Sequence, residues 1–252
     1  MIRRARPLLG TIVAIAADAA PAAVEAAFAA IARVHACMSA QRPDSDIGRV
    51  NRGAHRHPVA VDPWTFEVLE RALDVSEATA GAFDVVVPGN GARHTDIVLE
   101  NGAVRLRRPA QVDVGGIAKG FAVDVAVDLL QRWGAGAGSV NAGGDLRFLG
   151  AKHPAVNVRV PGQPAQSVQL PLLPYPAYAT SSGAFGARLY DPRTGASGAM
   201  EWSVTVAATT CLVADALTKA TALLGPVSSL LKRFDAAAFA LDANGRLHAP
   251  AG

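Results

Sequence analysis

Two of the chain's three Asn-Gly pairs narrow the possible architectures at once. One lies in IVLENGAVRLR, residues 97–107, and the other in FALDANGRLH near the end of the chain. Asn and Gly tolerate the positive-φ backbone of a two-residue turn whose twist matches that of the strands it joins. Set between short apolar runs, the pairs predict tight β-hairpins around Asn101-Gly102 and Asn244-Gly245. Strands joined in this way run antiparallel. Segments of helical period lie among them: Pro21 to about Ala40, the stretch VDPWTFEVLERALDVSEATAG, and about Cys211 to Leu224 before Gly225-Pro226. Asp62 and Pro63 supply an N-cap and a first helical residue for the second of these, Trp64, Val68, Leu69 and Leu73 supply its apolar face, and Gly81 stops it. TIVAIA reads as a strand before the first helix rather than as the apolar part of a signal segment, because Gly10 and Thr11 interrupt the run. Residues 161–176, rich in proline and glutamine, read as a surface connection between two halves. The expected class is α+β, with mixed, largely antiparallel sheets and packed helices.

The 252 residues are enough for one large domain or two intimately packed ones. Half of them are hydrophobic and only 18% are charged, which excludes a disordered chain. A net charge of +3 without any basic run gives no reason to expect a nucleic-acid partner. No stretch approaches the roughly 20 apolar residues of a membrane span. Six histidines are scattered without HExxH or CxxC spacing, which argues against zinc. Cys37 and Cys211 read as buried thiols, with a bridge between them possible but not demanded.

DVGGIAKGFAVD, residues 113–124, raises a sharper question. Ile117, Phe121, Val125, Leu129 and Leu130 recur at helical spacing, so Gly115 and Gly116 fall at the first turn of a helix. Glycine there lets backbone N–H groups come close to a ligand, and a helix N-terminus attracts anions, so a phosphate is the natural partner. Turn chemistry with a solvated Lys119 is the plainer alternative. The spacing matches neither a P-loop nor a dinucleotide fingerprint. GAGAGS at 134–139 follows a helix and precedes a strand, the reverse of the nucleotide-binding order, and reads as a flexible turn.

Eight short pieces then fall in one order: LGT at 9–11, PDSDIGRVN at 43–51, TAGAFD at 79–84, DVGGIAKGFAVD, NAGGD at 141–145, ATSSG at 179–183, DPRTG at 191–195 and ADAL at 214–217. In this register the chain, over nearly its whole length, resembles the ApbE-type family of FAD:protein FMN transferases. The resemblance implies a single domain over residues 1–252, built as two subdomains around a cleft for FAD. The diphosphate is then expected at Gly115, Gly116, Ile117, Ala118 and Lys119, with Asp46, Asp84, Asn141, Gly143, Gly144, Asp145, Thr180 and Ser181 completing the FAD site. Family members use magnesium to move FMN from FAD onto a threonine hydroxyl of an acceptor protein, releasing AMP; some hydrolyse FAD to FMN and AMP instead. Magnesium is expected at Asp215 and the Ala118 carbonyl, and Lys119, Asp191, Arg188 and Lys219 are the candidate catalytic residues.

Two positions depart from the family pattern. Lys219 stands where a threonine usually follows the metal-binding aspartate by four residues, and an ammonium cannot ligate a metal. Lys219 is either an i,i+4 ion-pair partner of Asp215, worth about 0.2–0.5 kcal/mol, or a cation in the metal's place. Arg188 stands where a histidine usually precedes the aspartate of DPRTG by three residues; it can hold phosphate but cannot exchange protons near neutral pH. Phe185 occupies the acceptor position of a small-residue flavinylation motif, so self-flavinylation is not expected. The expected function is transfer of FMN from FAD to an acceptor protein, with an FAD diphosphatase or a non-catalytic FAD-binding protein as the alternatives. No cysteine precedes Cys37 to carry a lipid anchor, and the expected location is cytoplasmic, or periplasmic if a leader is missing from this chain.

Overall fold

The computed structural model describes residues 1–150, 153–182, 188–200 and 202–249, with the backbone alone for Pro164, Arg188 and Ser228. An eight-stranded sheet forms its centre. Its strands are Ile2–Leu8, Thr11–Ala17, Gly138–Ala142, Asp145–Leu149, Ala177–Ser182, Ser203–Ala208, Ala236–Leu241 and Leu247–His248, and they lie side by side in chain order. Every neighbouring pair is antiparallel. Smaller sheets surround it, including one made by Val59–Ala60, Ile97–Glu100 and Ala103–Leu106. The α+β expectation holds.

The first Asn-Gly forms the predicted tight turn: Asn101 and Gly102 have φ of 50° and 74°, and Glu100 faces Ala103 across it. The second hairpin is looser. Leu241 pairs with Leu247, and Asp242 organises the loop by accepting hydrogen bonds from the Asn244 and Arg246 amides at 2.9 Å. A carboxylate thus replaces the two-residue backbone turn.

Residues 161–176 depart from the expected surface connection. Gln163–Gln169 is a strand that pairs with Asn157–Val160 around Pro161-Gly162. Proline fixes φ at the first turn position and Gly162, at φ 73°, supplies the positive φ of the second. Val158 and Val160 pack with Leu170, Tyr178, Phe239 and Leu241 in a small apolar cluster beneath this hairpin, with Val168 packed against its edge.

Six α-helices are found among the described residues: α1 (Pro21–Met38), α2 (Asp46–Gly53), α3 (Pro63–Ala78), α4 (Ala118–Arg132), α5 (Cys211–Leu224) and α6 (Ser228–Arg233). Asp62 caps α3 as predicted, accepting from the Trp64 amide at 2.9 Å. α1 is long and apolar enough to cross a membrane by length and composition alone, contrary to the expectation that no stretch approaches a span. Its stripe Val24, Phe28, Ile31 and Val34 is fully buried in the main core, which accounts for the apolar character. Cys37 and Cys211 are both free thiols, and burial pushes each above the ordinary value for cysteine.

α4 and α5 set the geometry that matters most. A Cβ at Gly120 would overlap the Cys211 carbonyl oxygen, so only glycine lets α4 approach the first turn of α5. Four residues later, Asp124 accepts from the Cys211 and Leu212 amides at 2.9 and 2.8 Å, capping α5 from outside its own sequence. Arg147 reaches the same carboxylate at 2.9 Å. Gly120→Ala is expected to cost about 3 kcal/mol, because backbone must move, and to lower Tm by about 6–12 °C. Gly136→Ala, with no atom near the added methyl, is expected to stay within about 0.5 kcal/mol of wild type. Thermal melts of both variants followed by circular dichroism check the pair.

Candidate functional site

The glycine pair works differently from the sequence expectation. Gly115 donates its amide to Asp113 Oδ1 at 2.8 Å, and the Ile117 and Ala118 amides both bond to the Val114 carbonyl. Three amides that might have cradled a phosphate are therefore already used. At Gly116 an added Cβ would make only ordinary contacts, 3.4 Å from Phe83 and 3.6 Å from Lys219 Cε. The stem of Lys219 lies against the turn.

Four ionised side chains converge beside it. Lys119, in the first turn of α4, bonds to Asp145 and lies 3.4 Å from Asp215 Oδ2. Lys219 bonds to Asp215 Oδ1 and to the Asp215 main-chain oxygen, the latter at 3.0 Å. The Gly120 amide adds a bond to Asp215 Oδ2 at 3.2 Å. Asp215 and Asp145 are buried, with side-chain exposures of 0% and 3%, whereas the lysines keep 33% and 30%. Two buried acids thus hold two ammonium groups at the surface.

NAGGD delivers Asp145. Gly143 and Gly144, at φ 66° and 109°, form the two-residue turn between neighbouring strands, with Ala142 facing Asp145. Asn141 Oδ1 accepts from the Gly144 amide at 3.0 Å, and a Cβ on Gly143 would meet Thr11 of LGT. ATSSG adds hydroxyls: Thr180 bonds Thr205 at 2.9 Å, and Ser181 bonds Thr218 at 2.7 Å, which in turn donates to the Asp215 carbonyl. A cavity of about 350 Å³ opens on the other flank of the turn, lined by Leu9, Gly10, Met38, Gly115, Ala118 and Lys119. LGT, GGIAKG, NAGGD, ATSS and ADAL are therefore brought together.

Other predicted residues go elsewhere. Asp84 accepts from the Val86 and His94 amides and lies 2.9 Å from His94 Nδ1. Asp191 is gripped by Arg193 through its amide and guanidinium at 2.8–2.9 Å. Asp84 and Arg193 line a separate cavity of about 240 Å³. Asp46 is spent on structure, accepting from Thr65 Oγ1, the Asp62 amide and Arg49. Arg188 opens the strand Arg188–Tyr190, its side chain lying outside the described residues, as does Phe185. Sequence reasoning missed Phe83 and the placing role of Asp124, although Asp124 closes the very dodecamer in question.

Burial and the neighbouring charge of Asp215 push Asp145 up to about 6, against the pull of Lys119 and Lys219. For Asp215 burial acts upward too, but the two lysines outweigh it and hold the carboxyl below its ordinary value. Burial would lower Lys119, yet Asp215 and Asp145 hold its ammonium well above the ordinary lysine value. The two acids separate because the second negative charge in a buried cluster is the costly one. An acid whose folded value is raised binds more protons folded than unfolded, so its contribution to stability falls as pH rises from 3.8 to about 6. Wild type is therefore expected to lose Tm relative to Asp145→Asn across that window, a difference read from paired melts at pH 4, 5, 6 and 7.

Comparison with known proteins identifies the family of the chain. The ApbE family model matches residues 9–91 and 90–239. A Vibrio cholerae protein named FAD:protein FMN transferase is 29% identical over 231 residues, covering 75% of this chain and 69% of the relative. A Treponema pallidum protein of the same name is 30% identical over 164 residues, 52% of this chain but only 45% of the relative. Solved structures share the fold: the flavin transferase ApbE of Vibrio cholerae superposes with a TM-score of 0.83 over 99% of this chain and 97% of its own, at 24% identity. The Pseudomonas stutzeri flavinyl transferase ApbE in its apo form also gives 0.83, over 98% and 94%, at 20% identity. With the family model spanning the two glycine turns, both lysines and both buried acids, this chain belongs to the ApbE family.

Proposed function

We propose that this chain is an FAD:protein FMN transferase, and that the paired ammonium groups of Lys119 and Lys219 receive the FAD diphosphate. The observation that carries the reading is the cluster itself: two partly exposed lysines fixed on two buried carboxylates, beside the glycine turn. Such a site offers fixed positive charge to a diphosphate without reorganisation when charge moves.

The reaction needs little covalent help from the protein. An acceptor threonine hydroxyl attacks the phosphorus on the FMN side of the diphosphate. The new P–O bond joins FMN to the acceptor, the P–O bond to the AMP phosphate breaks, AMP leaves with that electron pair, and the hydroxyl proton is released. Charge builds on the phosphoryl oxygens and the leaving phosphate, so positioning and cationic stabilisation dominate. Lys119 and Lys219 supply that stabilisation, and Asp215 holds both of them in place. The cavity beside the turn is a seat for a further part of the ligand.

Magnesium does not fit the residues present. Both oxygens of Asp215 are engaged, Oδ1 by Lys219 and Oδ2 by Lys119 and the Gly120 amide. Among the described residues no three His, Cys, Asp or Glu side chains gather as a ligand set.

Incubation of the protein with FAD and a threonine-containing acceptor, with AMP and protein-bound flavin quantified by chromatography, is expected to give the two products in equal amounts. AMP accompanied by free FMN would make the chain a diphosphatase, and intact FAD would make it a binding protein. Lys119→Met is expected to slow transfer about a hundredfold, the loss usual for one stabilising group. Asp46→Asn is expected to lower Tm while leaving FAD affinity unchanged, since its carboxylate serves α3.

A further inference from the structure

The two lysines of the cluster are held in different ways. Lys119 bridges two acids, Asp145 and Asp215. Lys219 is devoted to one residue: its ammonium sits on a carboxylate oxygen and on the main-chain oxygen of Asp215, and its stem lies against Gly116. Carboxylate and carbonyl oxygens are the hard donors that magnesium takes. A cation already occupies them. An ammonium has three donors; two are committed to Asp215, and the third is left for a phosphate oxygen at the half-exposed head. A magnesium ion at Asp215 would have to displace this head and then lie beside it and Lys119, with like charges a few ångströms apart.

We infer that Lys219 is the resident cation of the diphosphate site, a tethered ammonium in the position of a divalent metal, so that FAD binds this chain without magnesium. The inference rests on the FAD reading above. It separates the charge that a metal supplies from the metal itself: the site gains a cation that cannot be chelated away and loses one that can exchange water or polarise two phosphates at once.

The test is a titration of FAD into the purified protein, followed by flavin fluorescence, in excess EDTA and in millimolar magnesium. Wild type is expected to give the same Kd in both within about twofold. Lys219→Met, which keeps the stem but removes the charge-assisted bond, is expected to weaken FAD about tenfold or more in both conditions. Lys219→Thr, which puts a hydroxyl oxygen near Asp215, is expected to restore metal dependence, with FAD bound about tenfold more tightly in magnesium than in EDTA. Melting curves on both variants confirm that they are folded, and the wild-type titration needs no variant at all. A tenfold or larger gain in wild-type affinity on adding magnesium overturns the inference while leaving FAD binding intact, as does wild-type affinity in Lys219→Met. Failure of wild type to bind FAD in either condition overturns the FAD reading and the inference together.

Discussion

The contact between α4 and the N-terminus of α5 governs the rest. A buried carboxylate is costly, and burial pushes Asp124 above its ordinary value; Arg147 and two amides pull it part of the way back. In return, two orphan donors of α5 are satisfied from another helix, and the position of α5 along α4 is fixed. Gly120 removes the one side chain that would keep the helices apart. With those helices locked, Lys119 on one and Asp215 on the other can meet only in one way. The Gly120 amide, one of the unpaired donors in the first turn of α4, bonds to Asp215 itself.

From there the cluster builds outward. A fully buried aspartate demands cations, and it recruits one from each helix. Asp145 brings the central sheet into the arrangement through a Gly-Gly turn, and Thr11 fills the space that glycine leaves. The hydroxyl chain Ser181, Thr218 and the Asp215 carbonyl ties the next strand to the same residue. Both helices and two strands of the central sheet are thus linked to Asp215 directly or through one neighbour, and the two lysines keep about a third of their side chains exposed.

Much of this was legible in the sequence because local rules were strong. Asn101-Gly102, Asp62-Pro63 and the helical spacing from Cys211 to Leu224 each rest on backbone chemistry of a few residues, and the structure repeats them closely. The i,i+4 spacing made the Asp215–Lys219 pair legible locally, but its meeting with Lys119 and Asp145 was legible only through the order of motifs, since nothing local says that residues so far apart should touch. Where local rules competed, the reading slipped. Pro161-Gly162 was a turn signal for a hairpin, but the prolines and glutamines around it masked the buried valines beneath. Asp46 was expected at the FAD site; in the fold its carboxylate bonds to Thr65, the Asp62 amide and Arg49, because a carboxylate beside a helix serves caps as readily as it serves substrates. The amides of the GGIAKG turn were expected to face a phosphate, yet Val114 and Asp113 use three of them. Single-residue chemistry cannot foresee how a turn will satisfy itself.

The strand order carries a consequence for how the molecule forms. Thr11–Ala17 and Gly138–Ala142 are hydrogen-bonded neighbours, so all of residues 18–137, including α1 to α4, is carried as one excursion between adjacent strands. The excursion between Ser203–Ala208 and Ala236–Leu241 carries α5 in the same way. Lys119 belongs to the first excursion, Asp215 and Lys219 to the second, and Asp145 to the sheet between them. Loop closure on this scale is paid before its contacts give anything back, and such non-local pairing is slow. The charged cluster can exist only after both excursions have docked, so its four residues come together late in folding, and a half-folded molecule lacks the site proposed for the diphosphate.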